Sequence, residues 1–219
     1  MQVFLIGTNH LADTHNLMVR QLKGVLVQLQ PARLLLEIRP ADLARPTASP
    51  GRYAPEMCLL AQGYAAIAHG FDWLGEGDET AVAARLAEQQ NLSAQLGSAD
   101  LPPAGQAFYA RYNQELAPFL QDHDLFAMNS PQALQLAGQW ITFYDWCSGP
   151  FAPLADFYRQ RALRINQAIV EQVAAVAATP GRLVVVIGLS HVLRVQQALR
   201  QSLPGVAVHL LADIVPAAE

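Results

Sequence analysis

Two stretches of this chain place a histidine three residues after a glycine that ends an apolar run. Gly7-Thr8-Asn9-His10 follows Val3–Ile6, and Gly188-Leu189-Ser190-His191 follows Leu183–Ile187. A third apolar run, Arg33–Ile38 (RLLLEI), carries Glu37. A carboxylate there is costly to bury without a cation or strong hydrogen-bond donors. Two imidazoles and one carboxylate form a ligand set for a catalytic divalent metal, with positions left for water or substrate. Glu37 also suits a general base that touches no metal. Strand alternation puts Arg39 on the same face as Glu37, so the two either pair or both face a cleft. A single G-x-x-H is a weak signal: His10 alone reads as a helix cap, and His191 alone as a satisfied, half-buried residue. Two copies in matched strand–turn–helix settings favour one shared site.

The elements that position these residues are legible from periodicity. Val3–Ile6 is too short for a helix and reads as a buried strand. Leu17, Met18, Leu22, Val25, Leu26 and Leu29 recur at helical spacing between about 13 and 30, with Asp13 or Thr14 as N-cap and Pro31 as the stop. The run 33–38 is a second buried strand closed by Pro40, and 40–53 is a loop long enough to carry function. A helix over 55–68 and a third strand, Phe71–Leu74, complete a βαβαβ opening with parallel strands. Helical periodicity covers 79–97, 104–121, 130–146 and 153–178, with breaks at Gly97, Pro102-Pro103, Pro118, Pro131 and Gly149-Pro150. The strand 183–187, a helix over 191–201 and a last strand, Val206–Leu211, close the chain. The expected fold is α/β: a mostly parallel central sheet flanked by helices, one domain over 1–219, with a helical insertion over approximately 79–178. In such sheets ligands bind beyond the carboxyl ends of the strands, where both G-x-x-H turns and Glu37 would be delivered.

Composition removes several classes. The 219 residues are 52 % hydrophobic and 15 % charged with a net charge of −4, which describes a globular chain rather than a disordered one. The charge and the lack of a Lys/Arg run argue against nucleic acid and against an anionic membrane surface. No apolar run reaches the roughly 18 residues that span a bilayer. The opening residues lack the basic leader and apolar core of a signal peptide. Cys58 and Cys147 read as buried thiols in a reducing compartment. A soluble, cytoplasmic protein is expected.

Other residues carry weaker signals. His15, five residues past His10, points elsewhere on a regular helix. Glu76 and Asp78 read first as a solvated turn and second as an addition to the site. His69 suits a helix C-terminus, His123 a surface loop, and His209 the last strand. Trp140, Phe143, Tyr144 and Trp146 form either core or a cleft wall. Gly75-Glu76-Gly77 lacks the spacing and lysine of a phosphate loop. Without a G-x-S-x-G elbow, Ser190 is a poor nucleophile.

The order IGTNH, then LLLEIR, then VVVIGLSH resembles the TraB/TIKI superfamily, a group that also takes in the erythromycin-esterase-like and ChaN-like folds. The likeness covers roughly the first 40 and last 40 residues. It implies that His10, Glu37 and His191 are metal-binding or catalytic, and it implies metal-dependent hydrolysis in some branches and haem iron in one. The group often carries an Arg-x-x-Arg or Arg-Asn element in the helix before the late strand, where Arg161, Arg164 and Asn166 fall. Its Glu-Leu and more distant Arg are here Glu37-Ile38-Arg39, which departs from that pattern. The leading expectation is a hydrolase with a divalent metal on His10, Glu37 and His191, and with Arg39, Arg161, Arg164 and Asn166 toward a small-molecule or peptide substrate. The alternatives are a non-catalytic protein holding a metal, haem or small ligand in the same cleft, and an interaction module with incidental histidines. A homodimer is compatible with all three.

Overall fold

The computed structural model describes residues 1–10, 16–48, 51–97 and 100–214. Five strands form one all-parallel sheet: β1 (Gln2–Thr8), β2 (Arg33–Leu36), β3 (Ala68–Gly70), β4 (Arg182–Gly188) and β5 (Ala207–Leu210). Their spatial order is β3-β2-β4-β1-β5. The strand arriving last from the helical middle, β4, is inserted between β1 and β2 and pairs with both. Val3, Leu5 and Ile6, Leu34–Leu36, and Leu183–Ile187 are fully buried. Such continuous apolar runs are what a parallel sheet covered on both faces requires.

The first helix, α1 (Leu17–Leu29), is capped by Asn16, whose side chain accepts from the Val19 N–H at 3.0 Å. The expected caps Asp13 and Thr14 lie outside the described residues. The second helix, α2 (Pro55–Gly63), is shorter than its periodicity suggested. The third strand lies earlier than expected, at Ala68–Gly70 rather than Phe71–Leu74. Pairing still continues past it: the Phe71 N–H donates to Leu36 O and the Asp72 N–H to Ile38 O, each at 3.1 Å. Close packing here requires the glycine, since a Cβ on Gly70 would lie 2.3 Å from Ile38 O.

The middle of the chain is helical, as expected. It holds α3 (Glu79–Gln95), α4 (Pro103–Leu120), the single turn α5 (Leu125–Met128), α6 (Pro131–Gly138) and α7 (Ala152–Ala174), with 3-10 turns over Gln139–Trp146 and Gly149–Phe151. Pro118 does not break α4 but sits in its last turn. A 3-10 turn, Leu189–His191, then leads from β4 into α8 (Val192–Ser202), which returns the chain to β5. No helix among the described residues is long and apolar enough to cross a membrane.

One buried polar residue ties this middle to the sheet. β5 pairs with β1 only as far as Leu5, which leaves the outer edge of Gly7 without a strand partner. Asn129 takes the place of that strand. Its Oδ1 accepts from the Gly7 N–H at 2.7 Å, and its Nδ2 donates to Gly7 O at 2.9 Å and to Leu125 O at 2.8 Å. Asn129 is fully buried, so its loss would orphan backbone groups with no water to replace it. Asn129→Ala is therefore expected to lower unfolding stability by about 3 kcal/mol, summing the usual cost of buried unsatisfied groups. Urea denaturation checks it, and a loss under about 0.5 kcal/mol, the range of a surface substitution, would contradict the role.

Candidate active site

The strand order brings together what the sequence keeps far apart. β2, β4 and β1 are neighbours, and each ends at the same sheet edge in one of the three expected residues. Glu37 directly follows β2, His191 closes the turn after β4, and His10 follows β1. All three line one cavity of about 510 Å³. His10 sits in the left-handed region at φ 48°, uncommon for a residue with a Cβ. Gly188 is glycine because of this convergence: a Cβ there would come within 2.8 Å of His10 Nε2 and 3.4 Å of Glu37 Oε2.

Glu37 is the hub. Its Oε1 accepts from Arg161 Nη2 at 2.7 Å, and its Oε2 accepts from the Gly188 N–H at 2.7 Å. His10 Nε2 lies 3.4 Å from the same Oε2, while His10 Nδ1 lies 3.2 Å from Oε1 of the wholly buried Glu56 on α2. Arg161, on α7, also grips Asp72 through Nε–Oδ1 at 2.9 Å and Nη2–Oδ2 at 3.0 Å. Bidentate geometry of this kind fixes a guanidinium in orientation as well as in place.

The charges then divide the two histidines. Burial opposes a proton on His10, but Glu37, and then Glu56, outweigh it and raise its pKa well above the ordinary histidine range. Burial lowers the His191 pKa to about 4; Glu37 works against this, and Arg161, His10 and Arg194 add to it. These surroundings favour the protonated form of His10 and the neutral form of His191. Glu37 would be pushed up by burial alone, yet His10 and Arg161 hold its carboxyl well below the usual carboxylate range. With donors on both oxygens it suits an electrostatic anchor. Burial pushes the Asp72 carboxyl up against the pull of Arg161.

The substrate-side expectations divide. Arg161 is at the site. Arg39 turns away to Asp42 and Glu79, at 3.6 and 3.4 Å, because the chain leaves the strand at Leu36 and alternation no longer sets its direction. Arg164 is one helical turn from Arg161 but faces Glu76 at 3.9 Å near the surface, outside the cavity. Asn166 does not line the cavity either. Glu76 accepts from Trp73 Nε1, and Asp78 caps α3, so the turn after β3 is structural. His209 stacks on Phe4 with ring centroids 5.0 Å apart. His15 lies outside the described residues. Trp140 and Tyr144 are both core and cleft wall, while Trp146 is not at the cavity.

Three residues escaped sequence reading. Asp72 carries the signal that singled out Glu37, a carboxylate at the end of an apolar segment (Gly70-Phe71-Asp72-Trp73-Leu74). Glu56, beside Pro55 in a first helical turn, looks like an ordinary dipole-matching acid. Asn129 has no local signal.

The expected metal centre is tested by its donors. No group of three His, Cys, Asp or Glu side chains among the described residues is arranged to hold an ion. Arg161 and the Gly188 N–H already engage both oxygens of Glu37. Each Glu37 oxygen keeps a lone pair beyond these bonds, and His10 Nε2 and Glu37 Oε2, 3.4 Å apart, are the pair of donors placed closest to share an ion.

Comparison of the chain with protein-family models, with curated proteins and with solved structures gives no match, so the site is read from its own geometry.

Proposed function

We propose that this cavity is the active site of a hydrolase that adds water to a carboxylic acyl group by acid–base catalysis. The observation that carries the reading is the convergence of His10, Glu37 and His191 on one cavity, where the surroundings shift the two imidazoles in opposite directions. A neutral imidazole can take the proton of an attacking water, and a cation beside it can stabilise the oxygen that gains charge.

The water oxygen bonds to the carbonyl carbon as its proton passes to the free ring nitrogen of His191. The carbonyl π pair moves onto oxygen. The positive charge of His10 favours that developing negative charge. The tetrahedral centre collapses, the bond to the leaving oxygen or nitrogen breaks, and His191 returns the proton to it. Glu37, Glu56, Asp72 and Arg161 move no proton. They keep His10 charged and the cluster rigid.

A second reading retains the divalent ion. It is favoured by the 3.4 Å gap between His10 Nε2 and Glu37 Oε2, and by Glu56 behind Nδ1, the kind of carboxylate that orients a metal-bound histidine. There the ion would supply Lewis-acid polarisation of the substrate oxygen. A non-catalytic ligand-binding role is the third, and it predicts saturable binding with no turnover.

Three outcomes are expected with p-nitrophenyl esters as substrates. Replacing His191 with Ala lowers kcat by roughly 10²–10⁴-fold, the scale of a general base, with an unchanged far-UV circular dichroism spectrum. Full activity in that variant would remove His191 from the mechanism. The pH profile of kcat/KM rises through about 4 as His191 loses its proton. It then stays flat through neutrality and falls only well above it, as His10 loses its own. The groups facing these rings are Glu37, Glu56, Arg161 and Arg194. An acid limb near an ordinary histidine pKa of about 6.5 would show that His191 is not desolvated as described. Finally, prolonged treatment with EDTA leaves activity intact. Loss of activity that a single divalent metal restores would instead select the second reading.

A further inference from the structure

The catalytic cavity is lined by two chemically different sets of side chains. The sheet edge and α7 contribute Thr8, His10, Glu37, His191 and Arg161, while α4 and the turn over Gln139–Trp146 contribute Leu116, Leu120, Trp140, Ile141 and Tyr144. A second cavity of about 200 Å³ adjoins this apolar wall, lined by Leu96, Leu101, Tyr109, Phe143 and Leu154 and open to solvent near Ser93. Trp140 and Tyr144 line both spaces. They form a partition, and each is braced by a stacked ring. Trp140 lies on Phe143 with centroids 4.5 Å apart at 5°, and Tyr144 lies on Tyr158 with centroids 4.5 Å apart at 14°.

The polar groups are paired among themselves: Arg161 is shared between Asp72 and Glu37, and His10 between Glu37 and Glu56. A free carboxylate would lose its hydration on entry and set a full negative charge beside Glu37, whereas an ester brings negative charge only in the transition state, at the carbonyl oxygen beside His10. A neutral carbonyl with a hydrocarbon chain meets neither cost, and its chain finds an apolar wall to cover.

We propose that the site takes neutral carboxylic esters with apolar acyl chains, and that Trp140 and Tyr144 limit the acyl length by closing the catalytic cavity off from the apolar chamber behind them. The substrate class rests on the hydrolase reading above, whereas the length limit rests on the two cavities and their shared wall. Removing the Trp140 ring would join the two spaces. A bulky side chain at Ser93, which stands at the exposed rim of the second cavity and does not line the first, would narrow the space so gained.

The test measures p-nitrophenyl acetate, butyrate, octanoate and dodecanoate hydrolysis, together with calorimetric binding of 2-octanone and 2-tetradecanone as non-hydrolysable carbonyl probes. The wild-type chain is expected to prefer butyrate or octanoate to dodecanoate, and to bind 2-octanone more tightly than 2-tetradecanone. In Trp140→Ala the ratio of kcat/KM for dodecanoate over butyrate rises at least tenfold, and 2-tetradecanone binding tightens. Adding Ser93→Phe reverses both changes. Trp140→Phe, which keeps a ring in the partition, stays close to wild type in this ratio and serves if the alanine variant does not fold. Its partner is then Tyr144→Leu, expected to shift the ratio in the direction of Trp140→Ala. Ester hydrolysis with no chain-length dependence, or an unchanged ratio in Trp140→Ala or Tyr144→Leu, overturns the length limit and leaves the hydrolase reading standing. Ketone binding with the expected length dependence but no ester turnover overturns the hydrolase reading and keeps the partition. Tighter binding of octanoate anion than of 2-octanone overturns the preference for neutral substrates.

Discussion

The site depends on one guanidinium. Arg161 reaches from α7 to Asp72 beyond β3 and to Glu37 beyond β2, and both carboxylates are almost wholly buried. Without Arg161 two negative charges would face each other in a space closed to water, a cost of several kcal/mol per ion before relaxation. Such a cluster contributes little net stability compared with well-packed hydrocarbon. Its effect is positional. It fixes α7 against the carboxyl edge of the sheet, and it holds the Glu37 Oε2 where the Gly188 N–H and His10 can meet it.

The sheet topology supplies the rest. In a simple βαβ progression, a strand that comes after roughly a hundred residues of helices would add at an edge. Here β4 enters between β1 and β2, so the turns after all three strands lie side by side. Asn129 makes this arrangement compatible with a short β5, because its side-chain amide completes the ladder of Gly7 just before the turn that carries His10. The helical middle therefore does more than roof the cleft. α7 brings the cation, the residue after α5 completes a strand edge, and α4 with the turn over Gln139–Trp146 supplies the apolar wall.

The legible part of this structure is the part written in local patterns. Continuous apolar runs identified β1, β2 and β4, because a doubly covered parallel strand has no polar face to interrupt it. The glycine–histidine spacing identified the two turns, since close approach at Gly188 leaves no room for a Cβ. Strand order was not legible, as nothing in the residues of β4 specifies which two strands it will separate. The site beyond the trio was legible only in part. Arg161 and Arg164 differ by one helical turn, and only the register of α7 against the sheet decides that the first meets carboxylates and the second meets the surface. Arg39 departs from the face that alternation predicts because β2 ends at Leu36 and the backbone turns at Ile38. Glu56 and Asn129 were invisible because their partners lie 46 and 122 residues away.

The two G-x-x-H turns show how far a shared local sequence leaves chemistry undecided. VFLIGTNH and VVVIGLSH both build a buried strand and deliver an imidazole to one cavity, although His10 is reached through a left-handed residue and His191 through a 3-10 turn. Their surroundings then act in opposite directions. His10 lies between two carboxylates, one of them on α2, so a proton on it is favoured. His191 opens α8, whose N-terminal end carries positive partial charge, and Arg161 and Arg194 add full charges of the same sign. An acid–base pair is made when environments push two similar groups apart in pKa, and here that separation comes from tertiary neighbours rather than from the motif itself. A near-symmetric pair of sequence elements thus yields two imidazoles in unlike surroundings, and this asymmetry is what the proposed acid–base reading rests on.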